Sequence, residues 1–292
     1  MQEHIDAVQR MQKYIENHIN ENITLADLAR ESLFSPWYAY RLFKDYTNYT
    51  PGDYIRRLRL SKSALRLRDE KCRIIDAAYD CGFKSVDGYQ RAFLREFGCN
   101  PHQYASSPVP LNLFIPYGVK YRSISREVSL MKNIRNIFVQ VIEKPARKVI
   151  IKRGMKAADY FTYCEEVGCE VWGILTSIRS ISGEPICMWL PEKYRRAGTS
   201  EYVQGVEVDV EYDGKIPEGF EILELSKSKF LMFQGEPFEE EKYCQAIEEV
   251  HQSMMKYNPE NIGVRWKKDG IRVQIEPIGK RGYIAMKEIE MF

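Results

Sequence analysis

The 292-residue chain has no long apolar run, only four histidines and no pair of cysteines at CxxC spacing. A membrane-spanning helix needs about 20 consecutive apolar residues, so we expect no membrane span. The beginning of the chain, MQEHIDAVQR, lacks the apolar segment of a signal peptide. The seven cysteines are therefore expected to be reduced thiols that pack as small apolar groups. We predict neither a metal site nor a cofactor nor a disulfide framework.

Charge is divided unevenly along the chain, although the formal net charge is only +2. Residues 1–154 carry 26 Lys and Arg against 16 Asp and Glu, whereas residues 155–292 carry 17 against 25. Such asymmetry indicates a half that faces a polyanion and a half with another task. The length also favours two domains.

Residues 25–54 and 75–104 repeat each other at a spacing of about fifty. Each copy has the pattern of a short helix, a turn and a second helix. Two tandem helix-turn-helix units predict two DNA-reading units in one chain. The matched pairs are Phe34 with Phe83, Ser35 with Ser85, Arg41 with Arg91, Phe43 with Phe93, Pro51 with Pro101 and Tyr54 with Tyr104.

The second helix of the first copy is predicted to begin after Ser35, a favourable N-cap, with Pro36 at the first helical position. At 100° per residue, its apolar side chains fall on one face and two aromatics and two cations on the opposite face. We predict that the second group contacts DNA: Trp37, Tyr40, Arg41 and Lys44.

In the second copy, Ser85 is predicted to cap the helix and Arg91 is the cation shared with the first copy. Arginine can donate two hydrogen bonds to guanine or to a phosphate. Asp87 would repel phosphate unless it accepts from cytosine, so we expect the first copy to contribute more affinity. The predicted DNA-contacting residues of this copy are Ser85, Val86, Asp87, Gln90 and Arg91.

Between the copies, the segment YIRRLRLSKSALRLRDEKCR predicts one long basic helix. Its cations, Arg56 and Arg57 among them, have two interpretations. They form the solvated face of an amphipathic helix, or they bind phosphates and fix the register of the protein on DNA.

These segments resemble the AraC/XylS family of bacterial transcription regulators over about residues 5–105. The second copy, IIDAAYDCGFKSVDGYQRAFLREFGCNPHQY, carries the more specific signature. The resemblance implies a seven-helix module whose two recognition helices enter successive major-groove segments. It places Trp37, Tyr40 and Arg41 at base-reading positions, and it implies RNA polymerase as a partner and a location in the bacterial cytoplasm, at the nucleoid.

The C-terminal half shows a weaker duplication. KVIIKRG and KFLMFQGE each precede a helical stretch, 157–178 and 239–256, and each stretch precedes two strand-like segments. We predict an α+β domain with a duplicated β-α-β-β pattern. The predicted division is a DNA-binding domain at 1–106, a proline-rich linker at 107–137 and the second domain at 138–292.

This second half resembles the GyrI-like effector-binding domain. The resemblance implies an aromatic-lined groove between the two halves that often carries an acidic residue for lipophilic cations. Core packing is the alternative role for any one of these aromatics. The ligand-binding residues predicted on this basis are Tyr163, Trp172, Trp189, Tyr202, Trp266, Glu276 and Tyr283.

Together these features predict a sequence-specific transcription regulator, specifically an activator, that senses a small lipophilic or cationic molecule. We predict no enzymatic activity. Two units in one chain permit a monomer to bind duplex DNA. Two alternatives stay open: a small-molecule hydrolase in the second domain, for which Cys164, Cys169, Cys187 and Glu276 are the available groups, and a nonspecific architectural DNA binder.

Overall fold

A computed structural model describes residues 2–70, 72–116, 118–119 and 136–291. The chain divides into two compact units, residues 1–127 and 128–292. The first unit is helical, and the second is built on an antiparallel sheet. Within the described ranges, no helix is both long and apolar enough to cross a membrane.

The described part of the helical unit contains seven α-helices. Their bounds are α1 Gln2–Asn17, α2 Leu25–Ser32, α3 Pro36–Thr47, α4 Pro51–Asp69, α5 Ile74–Asp80, α6 Val86–Phe97 and α7 Pro101–Ser106. Thr24 and Asp27 form a capping box at the start of α2. The helical module that the repeat predicted is therefore confirmed.

The two helix-turn-helix copies share their backbone conformation at the turns. The residue that ends α2, Leu33, has a φ of 62°, and its counterpart Gly82 has a φ of 73°. Asn48, after α3, has a φ of 64°, and its counterpart Gly98 has a φ of 71°. The duplication thus extends to the left-handed backbone conformation at these turns, which residues other than Gly and Asn adopt only with strain.

The helical unit has two hydrophobic cores, one for each copy. The first joins α1, α2 and α3 to the beginning of α4, and the second joins the rest of α4 to α5, α6 and α7. Because α4 contributes to both cores, the long basic helix connects the two copies through buried contacts as well as through the chain.

Residues 107–116 and 118–119, which we call the strap, cross both cores. Leu111 and Leu113 are buried in the second core, and Val119 is buried in the first. The Phe114 amide donates to Ser61 Oγ at 2.7 Å, and the Val119 amide donates to Gln12 Oε1 at 3.1 Å. The sequence placed a linker at 107–137; its beginning is instead packed, because its apolar residues fill the cores. Of that linker, residues 117 and 120–135 lie outside the described residues.

The second unit contains nine antiparallel strands within its described residues. The sheet order is β1-β6-β9-β8-β3-β4-β2-β5, and β7 pairs with β9. The bounds are β1 Ile137–Lys144, β2 Arg147–Arg153, β3 Ile186–Trp189, β4 Tyr202–Val208, β5 Glu221–Leu225, β6 Ser228–Gly235, β7 Val264–Trp266, β8 Arg272–Ile275 and β9 Ile284–Met291.

The described residues of this unit also form three α-helices: α8 Tyr160–Val167, α9 Glu170–Ser177 and α10 Tyr243–Lys256. The sequence predicted a single helical stretch at 157–178. That prediction is wrong in detail, because Gly168, with a φ of 102°, ends α8 before α9 begins. The strands predicted from the apolar runs are present, whereas β1, β5 and β7 were not predicted.

The sheet has two chemically different faces, because side chains alternate along each strand. Val149, Ile186, Met188 and Val203 belong to one apolar cluster on the first face. The alternate positions put Trp189 on the opposite face. Also on that face are Cys187, Tyr202, Gln204, Arg272, Gln274 and Lys287, which cross-strand pairing brings together.

Candidate nucleic-acid interface and ligand cavity

Helix α3 holds its apolar side inward and its predicted DNA-contacting side outward. Ser35 Oγ accepts from the Tyr38 amide at 3.4 Å, which caps the helix where the sequence predicts. Leu42 and Phe43 are buried. Trp37 is 68% exposed and Tyr40 is 39% exposed. Two large aromatics in contact with solvent on one helix face are a surface suited to a partner.

Arg41 lies between aromatic rings on this exposed face. Its guanidinium carbon is 5.0 Å from the centroid of the Trp37 ring and 5.1 Å from that of Tyr38. Within the described residues, Arg41 has no carboxylate partner closer than 4.0 Å. Stacking restricts the guanidinium plane while its donors stay accessible, which favours bidentate bonds to a base edge or a phosphate. Lys44 is exposed one turn further along the same face.

Helix α6 has the same construction as α3. Ser85 Oγ accepts from the Gly88 amide at 3.2 Å, and Tyr89 and Phe93 are buried. Asp87 and Arg91 are exposed, and Val86 and Gln90 are half-buried beside them. The two helices thus carry the same number of exposed charges, two cations and one carboxylate each: Arg41, Lys44 and Asp45 on α3, and Asp87, Arg91 and Arg95 on α6.

Arg57, predicted from the sequence as a DNA contact, is engaged inside the helical unit. It donates to Glu96 Oε1 at 2.6 Å, and its guanidinium carbon is 5.0 Å from the ring centroids of Tyr49 and of Phe114. Burial lowers the pKa of Arg57, but the Glu96 carboxylate outweighs burial and the pKa is raised. In this arrangement, Arg57 joins α4 to α6.

Within the described residues, Arg56 is not held by a long-range partner of this kind, and it remains compatible with the predicted DNA contact. It is half-buried and lies 3.0 Å from Asp53 across one helical turn. A pair of this kind at a surface is weak, so a phosphate can replace the carboxylate at little cost. The sequence carried no local signal that separates Arg56 from Arg57, because Glu96 lies 39 residues away along the chain.

In the second unit, three of the predicted ligand-binding tyrosines are interior residues. Tyr163, Tyr202 and Tyr283 are fully buried. The Tyr163 hydroxyl donates to the Lys152 carbonyl oxygen at 2.8 Å, and the Tyr283 hydroxyl donates to Gln274 Oε1 at 2.6 Å. As placed, they pack the space between the sheet and its helices, which is the alternative that the sequence left open.

The predicted acidic residue, Glu276, follows β8 and is an exposed residue, although neighbouring groups partly enclose its carboxyl. Burial raises the pKa of its carboxyl, while Arg281 acts in the opposite direction. Trp172, which is nearly buried, also acts to lower the pKa of this carboxyl. Trp266 is half-buried, with the Lys287 ammonium 4.8 Å from the centroid of its ring.

A cavity of about 820 Å³ opens on the sheet face that carries Trp189, Arg272 and Lys287. Of the seven predicted ligand-binding residues, only Trp189 lines it. The other lining residues are Leu190, Pro191, Glu192, Arg195, Arg196, Ala197, Thr199, Glu201, Lys268, Asp269, Gly270, Arg272 and Lys287. Sequence reasoning missed Arg272 and Lys287 because it searched for aromatic and acidic groups.

The helical unit is similar in sequence to known helix-turn-helix proteins. A family model described as a helix-turn-helix domain matches residues 28–107. Regulatory protein SoxS of Salmonella typhimurium is 36% identical over 101 residues, which are 35% of this chain and 94% of SoxS. The right origin-binding protein of Escherichia coli is 38% identical over 95 residues, 32% of this chain and 33% of that protein.

Among solved structures, one match is the DNA-binding domain of AdpA in complex with a target DNA. It has a TM-score of 0.33 and 22% sequence identity, and the match covers 35% of this chain and 91% of that domain.

Proposed function

The chain belongs to the AraC family of helix-turn-helix transcription regulators, and from this premise we propose that it binds an asymmetric duplex site through α3 and α6. The observation that carries the proposal is the pair Arg41 and Arg91. They occupy matching positions on two capped helices, and both are exposed. Each helix would enter one of two successive major-groove segments, so one chain replaces the two halves of a dimer.

Within this proposal the exposed residues have different roles. Trp37, Tyr40 and Arg41 contact base edges, where an arginine beside guanine is the commonest specific contact. Lys44 and Arg56 bind phosphates, which contribute affinity without sequence information. On α6 the predicted contacts are Ser85, Val86, Asp87, Gln90 and Arg91.

We further propose that the second unit is a GyrI-like effector-binding domain. Two features of its topology support this. The order strand, helix, strand, strand occurs as β2, α8 with α9, β3, β4. It occurs again as β6, α10, β8, β9, with the three-residue strand β7 inserted between α10 and β8. The sheet order β6-β9-β8 is also matched by β2-β4-β3, and the two halves meet where β8 pairs with β3. A groove at such a junction is a common place for a ligand.

The full proposal is a bacterial, nucleoid-associated activator that works as a monomer on DNA and contacts RNA polymerase. The domain division stays as the sequence suggested, 1–106 and 138–292, except that the strap is counted with the helical part. Ligand binding in the second unit would have to favour one functional state of the chain by a difference in binding free energy.

Substitution of Arg41 tests the DNA-binding proposal. Genomic fragments bound by the full chain give the specific duplex, and a scrambled duplex of the same composition gives nonspecific binding. Arg41→Ala should weaken specific binding by about tenfold or more and leave nonspecific binding within a few-fold, because a base contact contributes about 1–3 kcal/mol.

Arg30→Ala is the matched control, since Arg30 lies on α2 outside both recognition helices and is 66% exposed. It should change specific and nonspecific binding alike. An equal loss in both assays for Arg41→Ala would reduce Arg41 to a phosphate contact. Absence of any sequence preference in the unmodified chain would leave the architectural binder as the better description.

A further inference from the structure

We propose that the 820 Å³ cavity of the second unit binds a small molecule with one anionic head group, a carboxylate or a sulfonate, on an aromatic or apolar body. The proposal rests on the sensing role proposed above and specifies its ligand class. The proposed ligand is negatively charged, whereas the GyrI-like resemblance implies a lipophilic cation.

Two cations lie side by side on the wall of the cavity. Arg272 on β8 and Lys287 on β9 are direct cross-strand partners, and both line the cavity. Within the described residues, neither has a carboxylate within 4.0 Å. Like charges directly opposite each other in a sheet are destabilising. An anion bound between them would remove that repulsion.

Both cations are also partly withdrawn from water. Burial lowers the pKa of Arg272, and burial together with the neighbouring Arg272 lowers the pKa of Lys287. The Arg272 Nε atom is buried without a hydrogen-bond partner. A buried donor that lacks an acceptor is costly, so the guanidinium has reason to pair with an anion through its other N–H groups at the cavity.

Two tryptophans orient the pair. The Arg272 guanidinium carbon lies 3.6 Å from the centroid of the Trp189 ring, and the Lys287 ammonium lies 4.8 Å from that of Trp266. Trp189 is itself fixed, since its Nε1 donates to the Ala158 carbonyl oxygen at 2.8 Å. Stacking immobilises the guanidinium plane, and Trp189 also gives an aromatic ligand a surface to pack on.

The other charged groups of the lining do not reverse this sign. Glu201 is already paired with Arg195, and Arg196 lies 3.2 Å from Glu221. Glu192 and Asp269 are exposed, as is Lys268. The carboxyl of Glu276 is not part of the lining. The least hydrated charges of the cavity are therefore Arg272 and Lys287, and both are positive.

Three probes of nearly equal shape test the charge preference on the unmodified full chain: 1-naphthoate, 1-naphthamide and 1-naphthylmethylammonium. Affinities are measured by titration calorimetry at pH 7. The carboxylate should bind at least about tenfold more tightly than the amide, because hydrogen bonds to charged groups are the stronger kind. The ammonium should bind most weakly. This comparison needs no variant and so does not depend on refolding.

Variants then locate the site. Arg272→Gln and Lys287→Gln should each remove most of the preference for naphthoate over naphthamide, whereas Lys256→Gln, an exposed change at the end of α10, should retain it. Thermal melting confirms that each variant is folded. Equal binding of the carboxylate and the amide, preference for the ammonium, or no binding of any probe would each overturn the anion site.

A DNA-binding titration on the same samples separates this outcome from the regulator proposal. Specific DNA binding with no charge preference in the cavity overturns the anion site alone. A preference for naphthoate without specific DNA binding overturns the regulator and leaves the anion site.

Discussion

Arg57 on α4 and Glu96 on α6 form an ion pair of 2.6 Å that connects the two helix-turn-helix copies. Tyr49, which follows the first recognition helix, and Phe114, in the strap, enclose the guanidinium with their rings. The pair thus contacts the second recognition helix directly and the end of the first. We therefore expect the pair to help set the distance and the angle between α3 and α6.

Arg57→Ala should lower the free energy of unfolding of the helical unit by about 1–3 kcal/mol, because it leaves Glu96, only 13% exposed, without its partner. Urea denaturation followed by circular dichroism measures this loss. Arg30→Ala, which breaks an exposed pair with Asp27, should cost less than about 1 kcal/mol.

The same variant should also bind DNA with less dependence on the distance between the two halves of the site. Duplexes with one base pair inserted or removed between the halves provide the measurement. If Arg57→Ala keeps the spacing preference of the unmodified chain, the ion pair contributes to stability only and does not position the two helices.

Leu33→Gly should stabilise the helical unit by about 1 kcal/mol. Leu33 has a φ of 62° and is 81% exposed, so its side chain strains the turn and buries little surface. Leu33→Ala is the control: it removes the exposed side chain but retains Cβ, and it should leave stability nearly unchanged. Equal gains from both substitutions would assign the effect to the lost side chain.

Leu111→Ala should destabilise the helical unit by about 2–5 kcal/mol, because Leu111 is 5% exposed and fills the second core. Asn112→Ala, at the exposed neighbouring position, should change the unfolding free energy by less than about 0.5 kcal/mol. Similar small effects from both would mean that the strap is a free linker in solution.

Glu207→Gln should destabilise the second unit by about 3–5 kcal/mol. Glu207 accepts at 2.6 Å from Arg147 and at 2.6 Å from Lys144, and both Glu207 and Arg147 are buried. Removing the carboxylate charge leaves two cations with little hydration. Glu218→Gln, at an exposed position, is the control. If Glu207→Gln melts at the same temperature as the control and the unmodified chain, the prediction is wrong.

Stability of the second unit should fall as pH drops below about 7. Burial, and after it the nearby Arg272, lowers the pKa of His251 below its ordinary value of 6.5, while Glu248 opposes the shift. The unfolded chain therefore binds a proton at a pH where the folded chain does not. This difference favours unfolding as the pH falls through 6.5 and towards the folded pKa.

His251→Gln should flatten this dependence, since glutamine can still hydrogen-bond to the Tyr283 hydroxyl, 3.0 Å from His251 Nε2, and has no proton to gain. Melting temperatures between pH 5 and 8 provide the comparison. An unchanged slope in the variant would assign the acid sensitivity to other groups.

The sequence by itself determined the helical unit to a large extent. Caps such as Ser35 and Ser85 act on the residues that follow them directly, and the 3.6-residue period sorts Phe43 inward and Trp37 outward. Both signals are local, so they are visible without knowledge of the fold. The tandem repeat predicted the second helix-turn-helix copy as well, because each copy has the same pattern.

Only the tertiary structure decided which charged and aromatic side chains remain free to contact DNA or a ligand. Arg57 resembles Arg56 in the sequence, but packing brings Glu96 to it across 39 residues. In the second unit, strand pairing buries Tyr202 and places Arg272 beside Lys287. Composition and spacing do not encode such long-range pairings, because they depend on strand register and on the order of strands in the sheet.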